Sequence, residues 1–198
     1  MPNTSPILNL PNILTLIRVV AIPVLVLVYF LPVWWSGYAA AALFLAAGIT
    51  DWLDGYLARR MGLTSPFGAF LDPVADKLIV GVALVLLVHA HVSLWIAVPA
   101  MVIVSREIAV SALREWMAEL GQRATVAVGH LGKYKTAAQM TAIVLLLALQ
   151  PGAQSGWFMT VWSVFAYGLL YLATILTLWS MLAYLRAAAP QLLGREQA

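Results

Sequence analysis

Four of the eight acidic residues of this chain lie within a single stretch, DWLDGYLARRMGLTSPFGAFLDPVAD. They are Asp51, Asp54, Asp72 and Asp76. The chain as a whole is 63% hydrophobic, and a carboxylate at the centre of a bilayer costs about 3 kcal/mol on the insertion scale. Like charges held close together also repel one another. A chain that keeps four such groups together is expected to use them to bind a positive ion.

Helical spacing predicts that the four carboxylates meet at the junction of two segments. Asp51 and Asp54 are three residues apart, which puts them on one face of a helix. Asp72 and Asp76 are four residues apart, on one face of the next helix. Pro73 suits the first position of that helix, with Asp72 as its N-cap. A short turn between the two helices would bring all four carboxylates around one point.

The chemistry of these side chains favours a hard cation. Carboxylate oxygens, in a chain without cysteine, are ligands for Mg²⁺ or Mn²⁺, or for Ca²⁺. Four carboxylates exceed what one Mg²⁺ usually takes, so two metal ions of the kind that assist phosphoryl transfer fit better. The structural alternative pairs the acids with Arg59, Arg60 and Lys77 at the membrane surface. That alternative leaves an excess of negative charge and is less favoured.

Uncharged stretches define the elements that must position these residues. Residues 19–50, 78–105 and 136–185 carry no charge, and each stretch has a helix-breaking segment near its middle. Since about 20 apolar residues cross a bilayer, the pattern predicts three hairpins. The six predicted spans are roughly 10–31, 36–60, 73–90, 93–118, 134–150 and 157–186.

The eleven basic residues all lie at or towards the face opposite the three hairpin turns. By the positive-inside rule that face is cytoplasmic. The sequence therefore predicts an all-α integral membrane protein with six transmembrane helices and a polar site facing the cytoplasm. A single domain over residues 1–198 is expected, with a short interfacial segment at about 1–10 and a polar tail at about 187–198. Membrane lipids are expected partners, and nucleic acid is not.

The acidic stretch also carries the pattern D-x2-D-G-x2-A-R-x8-G-x3-D-x3-D without departure. This pattern resembles the signature of the CDP-alcohol phosphatidyltransferase family, which implies the CDP-alcohol phosphotransferase fold. The resemblance further implies that the four aspartates bind two divalent ions, Mg²⁺ or Mn²⁺, and that Asp76 is also the general base. By the same resemblance Gly55, Ala58, Arg59 and Gly68 surround the CDP moiety of CDP-diacylglycerol.

Three further segments, 9–26, 105–121 and 132–140, resemble one branch of this family. That branch transfers a phosphatidyl group from CDP-diacylglycerol to sn-glycerol 3-phosphate and releases CMP. The resemblance implies a homodimer in the bacterial inner membrane. Other members of the family, which make cardiolipin, phosphatidylinositol phosphate or phosphatidylserine, stay open as alternatives. A divalent-cation transporter is less favoured, because transport sites usually lie near the bilayer midplane between broken helices.

Basic residues of the second half suit the phosphate of an acceptor. Arg106, Arg114, Lys133 and Lys135 lie in or next to the fourth and fifth predicted spans. Arginine binds phosphate with two parallel hydrogen bonds and lysine as a point charge. These four residues are therefore predicted to bind the acceptor phosphate. The alternative is a basic cytoplasmic loop attracted to anionic lipids.

Polar residues interrupt the first predicted span at regular intervals. Asn12, Thr15 and Arg18 are each three residues apart in an otherwise apolar segment, so their side chains need polar partners. The family resemblance favours Asn12 and Thr15 as further residues that bind CDP-diacylglycerol. Helix capping and snorkelling towards the interface are the alternative.

Overall fold

The computed structural model describes residues 10–61, 66–121, 130–149 and 156–192. Within these ranges the chain forms six helices and no strand, which confirms the all-α prediction. The helices are α1 (Leu10–Tyr29), α2 (Ser36–Met61), α3 (Pro66–His91), α4 (Leu94–Glu119), α5 (His130–Ala148) and α6 (Trp157–Leu192).

Three of the described helices are long and apolar enough to cross a membrane. The apolar segments are Asn12–Tyr29 of α1, Leu94–Glu119 of α4 and Trp157–Gln191 of α6, while the apolar part of α5, Tyr134–Ala148, is shorter. Large apolar side chains lie exposed along these helices, as lipid contact requires. The protein is therefore an α-helical membrane protein. The count of six spans and the cytoplasmic orientation stay predictions.

The chain divides into two compact units. The first consists of Met1–His91 and Ile143–Ser163, and the second of Val92–Ala142 and Val164–Ala198. Helices α1, α2 and α3 thus belong to the first unit and α4 to the second, while α5 and α6 each contribute to both. The single domain expected for the whole chain stays a prediction.

In the first unit, α1 packs against both α2 and α3, which also touch each other. The face that α2 buries is built from Ala40, Phe44 and Ala47. Small residues at a membrane helix interface let two backbones approach closely. The buried face of α3 includes Ile79 and Ala83. This packing brings the polar residues of α1 to the acidic ends of the two neighbouring helices.

In the second unit, the buried side chains of α4 include Ile103 and Val110, and those of α6 include Leu170. Met117 and Ala188 form a fully buried cluster with partly buried aromatic and aliphatic neighbours, Leu113, Trp116 and Tyr184. The helix α4 begins at a cap in which the hydroxyl of Ser93 accepts a hydrogen bond from the Trp95 amide. The cluster of Met117 and Ala188 joins the last turns of α4 and α6 within this unit.

The described helices match the predicted spans to within four residues at all but two boundaries. Helix α3 begins at Pro66, so Pro73 is an internal residue and Asp72 is not an N-cap. Both prolines suit a first helical position, and the sequence offers no reason to prefer the earlier one. Helix α6 continues to Leu192, so the first half of the segment predicted as a polar tail is helical. The predicted interfacial segment at about 1–10 lies outside the described residues, apart from Leu10 at the start of α1.

Candidate active site

Three of the four aspartates have described side chains, and all three lie in the first unit. Asp51 is on α2, and Asp72 and Asp76 are on α3, one turn apart. The side chain of Asp51 is 44% exposed and that of Asp76 is 42% exposed. Asp54 lies on α2, but its side chain is outside the described part of the chain. The described carboxylates are therefore open on one side rather than enclosed.

Arg18 of α1 joins the acids of α2 and α3. Its Nη1 atom lies 3.1 Å from Oδ1 of Asp51 and donates a hydrogen bond to Oδ1 of Asp76 at 2.6 Å. The arginine side chain is fully buried. A buried charge is stable only with compensating partners, and the two carboxylates provide them. One guanidinium nitrogen thus links two of the predicted metal ligands.

Thr15, one turn before Arg18, binds the third aspartate. Its hydroxyl donates a hydrogen bond to Oδ1 of Asp72. Thr15 and Asn12 are both buried, so the polar stripe of α1 faces the interior of the unit. For Thr15 and Arg18, the polar partners expected on sequence grounds are aspartates of the acidic stretch.

The donor atoms of this site suit a divalent cation. Among the described side chains, no three His, Cys, Asp or Glu residues form a group that could hold a metal ion by themselves. Asp54 is outside that set. Asp51 and Asp76, however, meet at one positively charged nitrogen, so their carboxylates can face a single cation. An all-oxygen donor set of this kind fits Mg²⁺ or Mn²⁺.

The residues predicted to surround the CDP moiety lie on the same two helices. Gly55, Ala58 and Arg59 are on α2, where their side chains are outside the described part of the chain. Gly68 is buried in the first turn of α3. The absence of a side chain at Gly68 permits close approach to its backbone, one turn before Asp72.

A second charged cluster lies in the second unit, around Glu107 of α4. Lys135 of α5 donates a hydrogen bond to Oε1 of Glu107, and Nη1 of Arg106 lies 3.2 Å from the same oxygen. The Nη2 atom of Arg106 donates to Oγ of Ser180 at 2.6 Å, and its guanidinium lies 5.7 Å from the ring centre of Tyr184. Arg106 and Lys135 are both buried.

The other two residues predicted to bind the acceptor phosphate are not seen in this cluster. Arg114 is exposed on α4, two turns beyond Arg106. Lys133 lies on α5, and its side chain is outside the described residues. Among described side chains, then, only Arg106 and Lys135 of the predicted set share a partner, Glu107.

Several buried polar atoms of the second unit lack a hydrogen-bond partner in the described structure. Among them are Nε of Arg106, Oε1 of Gln139 and Oγ1 of Thr177. Gln139 lies one turn along α5 from Lys135, and Thr177 lies one turn along α6 from Ser180. Because buried polar atoms are nearly always satisfied, this group is suited to accept a polar ligand or water.

For two residues of these clusters, the sequence indicates a polar role but does not identify the partners. Arg18 belongs to the polar stripe of the first span, but its charge partners depend on packing. Glu107 is one of three glutamates near the basic residues, with Glu115 and Glu119. The signal for both was an ionisable residue inside or beside an apolar helix, which in membrane proteins usually marks a functional or paired group.

Comparison with known proteins gives relatives that match nearly the whole chain. An enzyme of Pseudomonas fluorescens named CDP-diacylglycerol–glycerol-3-phosphate 3-phosphatidyltransferase is 55% identical over 93% of this chain and 92% of its own. Proteins of the same name are 52% identical in Escherichia coli K12 and 51% identical in Shigella flexneri serotype 5b. Each of these two alignments covers 94% of this chain and 98% of the relative.

The family model described as CDP-alcohol phosphatidyltransferase matches residues 8–185. This match includes the acidic stretch, the polar stripe of α1 and the charged cluster around Glu107. It therefore covers the elements of both units that carry the clusters described above. On the extent of this match and of the identity to its relatives, the chain belongs to the CDP-alcohol phosphatidyltransferase family.

Proposed function

We propose that this protein transfers the phosphatidyl group of CDP-diacylglycerol to sn-glycerol 3-phosphate, giving phosphatidylglycerophosphate and CMP. The observation that carries the proposal is the 52–55% identity, over more than nine-tenths of the chain, to bacterial enzymes named for this reaction. The three described aspartates, which are joined to α1 by Arg18 and Thr15, also support the proposal, because clustered carboxylates can bind the metal ions that assist phosphoryl transfer.

In this proposal Asp51, Asp54, Asp72 and Asp76 hold two divalent ions, Mg²⁺ or Mn²⁺. When bound, such ions supply positive charge that stabilises the pyrophosphate and the departing CMP. The partial exposure of Asp51 and Asp76 supports this role, because it leaves one side of each carboxylate accessible to a cation and a substrate. Their contact with one buried nitrogen keeps the two carboxylates close together.

Asp76 is the general base. Its carboxylate accepts the proton of the 1-hydroxyl of glycerol 3-phosphate, and that oxygen forms a bond to the phosphorus that carries diacylglycerol. The bond from this phosphorus to the bridging oxygen breaks, and CMP leaves with that oxygen. The hydrogen bond from Arg18 supports the assignment because it fixes the orientation of the carboxylate that must meet the hydroxyl.

Binding of CDP-diacylglycerol is assigned to residues of the first three helices, which are Asn12, Thr15, Gly55, Ala58, Arg59 and Gly68. The buried position of Gly68 supports close approach of the nucleotide to the backbone of α3. Thr15 has a second role in this assignment, since its hydroxyl also holds Asp72.

Binding of the acceptor phosphate is assigned to Arg106, Arg114, Lys133 and Lys135. Two observations support Arg106 and Lys135 in particular. Both are buried cations that share a single carboxylate, so the group as a whole keeps a positive charge. The unsatisfied polar atoms of Arg106, Gln139 and Thr177 provide further groups for an anionic, hydroxylated ligand.

The proposed setting is the bacterial inner membrane, with the site facing the cytoplasm in a homodimer of single catalytic domains. Its support is the bacterial origin of the named relatives and the positive-inside rule applied to the eleven basic residues. Soluble glycerol 3-phosphate would reach a cytoplasmic site directly.

The test is acceptor-dependent release of CMP by the purified protein in detergent. CDP-diacylglycerol and Mn²⁺ are supplied with sn-glycerol 3-phosphate or, in parallel, with serine, inositol phosphate or phosphatidylglycerol. We expect CMP release with glycerol 3-phosphate alone, and its loss in Asp72→Asn and Asp76→Asn. Release that depends on another acceptor would overturn the substrate assignment. Flux of Mn²⁺ into liposomes without any release of CMP would instead favour a transporter.

A further inference from the structure

Arg18 is a fully buried charge that contacts two of the aspartates. Its side chain has no exposed surface, whereas the two carboxylates that it contacts, Asp51 and Asp76, are each more than two-fifths exposed. The guanidinium therefore reaches these carboxylates from inside the unit. The sides of the carboxylates that face away from Arg18 are the ones open to solvent and ligands.

Thr15 repeats this arrangement one turn earlier on α1. Its buried hydroxyl donates to Asp72, so one face of α1 contacts three of the four predicted metal ligands. Each of these contacts uses a single oxygen, Oδ1 of the aspartate. A carboxylate has two oxygens and about four lone-pair positions. An aspartate that accepts a hydrogen bond from α1 through one oxygen can thus still bind a cation.

We propose that Arg18 and Thr15 are positioning residues of the metal site, which orient the aspartates from the interior while the outer sides of the carboxylates bind the divalent ions. The inference rests on the proposed function, since it assigns an outer layer to the metal site named there. Outer partners of metal ligands fix the orientation of the ligands and strengthen metal binding. Arg18 has an added effect, because its charge offsets the repulsion between Asp51 and Asp76.

A competing arrangement predicts the opposite result. If the guanidinium simply occupied the position of the cation, it would have to leave when metal binds, and its removal would strengthen metal binding. The full burial of Arg18 argues against this exchange, because a displaced guanidinium would need new partners within the unit. The sign of the change in metal affinity therefore distinguishes a positioning residue from a competitor.

The experiment measures Mn²⁺ binding to the purified full-length protein in detergent, with the electron paramagnetic resonance signal of free Mn²⁺ as the readout. Thermal unfolding with and without Mn²⁺ is the second readout. We expect Arg18→Met to weaken Mn²⁺ binding about 10- to 100-fold and to reduce the rise in Tm that Mn²⁺ produces. Arg18→Lys keeps the charge without the guanidinium geometry. Its Mn²⁺ affinity is expected to lie between those of Arg18→Met and the wild type.

The matched control is Arg106→Met. Arg106 is another buried arginine paired with a carboxylate, but it belongs to the second unit, and the carboxylate is that of Glu107. Its substitution should lower Tm while leaving Mn²⁺ affinity unchanged. If Arg18→Met does not yield folded protein, Thr15→Val and Thr15→Ser decide: Thr15→Val should bind Mn²⁺ several-fold more weakly, and Thr15→Ser should bind it like the wild type.

Unchanged or tighter Mn²⁺ binding in Arg18→Met, or in Thr15→Val where Arg18→Met is unfolded, would overturn the positioning role. That result would leave the proposed function intact, provided that the wild type still releases CMP with glycerol 3-phosphate. A wild-type protein that neither binds Mn²⁺ nor releases CMP would instead overturn the proposed function together with its metal site.

Discussion

Lys135 of α5 donates a hydrogen bond to Glu107 of α4, and only 5% of the lysine is exposed. The same glutamate oxygen lies 3.2 Å from Arg106. One carboxylate therefore serves two buried cations, and the group carries a net positive charge. A site with this charge distribution is suited to bind an anion, which would compete with or supplement Glu107.

Replacement of Glu107 by glutamine tests whether this carboxylate competes with the acceptor phosphate for Arg106 and Lys135. Loss of the carboxylate should lower the free energy of unfolding by about 1–3 kcal/mol, because charge-assisted hydrogen bonds to Arg106 and Lys135 are lost. The KM for glycerol 3-phosphate should fall, since both cations become free to bind the acceptor phosphate. Steady-state kinetics and thermal unfolding of the purified variant measure the two effects.

The control for this variant is Glu115→Gln, the same change at an exposed position two turns further along α4. It should leave both KM and Tm near the wild-type values. A KM that rises in Glu107→Gln would contradict the expected competition and would indicate that Glu107 itself helps to bind the acceptor.

The sequence predicts the grouping of the aspartates but not the partners that hold them. Helical spacing is enough to place Asp51 with Asp54, and Asp72 with Asp76, because neighbours along one helix depend only on local geometry. The ion pairs of Arg18 join residues more than thirty positions apart. They arise only when α1 packs against both α2 and α3, and no local pattern encodes that packing.

The same distinction applies to the second cluster. Arg106 and Lys135 are recognisable in the sequence as basic residues at apolar helices, but three nearby glutamates were equally available as partners. Tertiary packing selects Glu107 and leaves Glu115 exposed on the same helix. The start of α3 differs from the predicted one for a related reason, since Pro66 and Pro73 have the same local preference and only the packed structure distinguishes them.

Close packing of α1 against α2 depends on small residues, and Ala47 tests this dependence. Ala47 is buried on α2, whereas its neighbour Ala46 is exposed. Ala47→Leu should lower stability by about 1–3 kcal/mol, because a larger side chain forces the helices apart. Ala46→Leu should have little effect. Thermal unfolding in the same detergent compares the two, and equal Tm values would contradict the assigned interface.

Asp76 is assigned two roles, metal ligand and general base, whereas Asp51 is assigned only the first. Comparison of the two residues therefore tests the role of Asp76 as general base. Asp76→Asn should lower kcat by at least about 100-fold, because the general base is lost, and excess Mn²⁺ should not restore it. Asp51→Asn should also be impaired, but a higher concentration of Mn²⁺ should restore part of its activity. Titration of CMP release against Mn²⁺ measures both, and full recovery of Asp76→Asn would mean that Asp76 acts only as a metal ligand.

Thr177 of α6 tests whether the unsatisfied polar atoms of the second unit belong to a ligand site. Its hydroxyl is fully buried and has no hydrogen-bond partner in the described structure. Thr177→Val has nearly the same shape and removes only that hydroxyl. Because an unsatisfied buried polar group costs about 1–3 kcal/mol, the variant should be as stable as the wild type or more stable. If the hydroxyl serves the acceptor, the KM for glycerol 3-phosphate should rise several-fold at the same time.

The control for Thr177 lies one turn earlier on the same helix. Thr174 is also buried, but its hydroxyl donates to the carbonyl of Leu170 at 2.8 Å. Thr174→Val therefore removes a satisfied hydrogen bond and should lower stability by about 1 kcal/mol without a change in KM. We expect Thr177→Val to gain stability and to have a raised KM, and Thr174→Val to lose stability with an unchanged KM. This pair of results would place the acceptor next to Thr177. An unchanged KM in both variants would mean that Thr177 does not contact the acceptor.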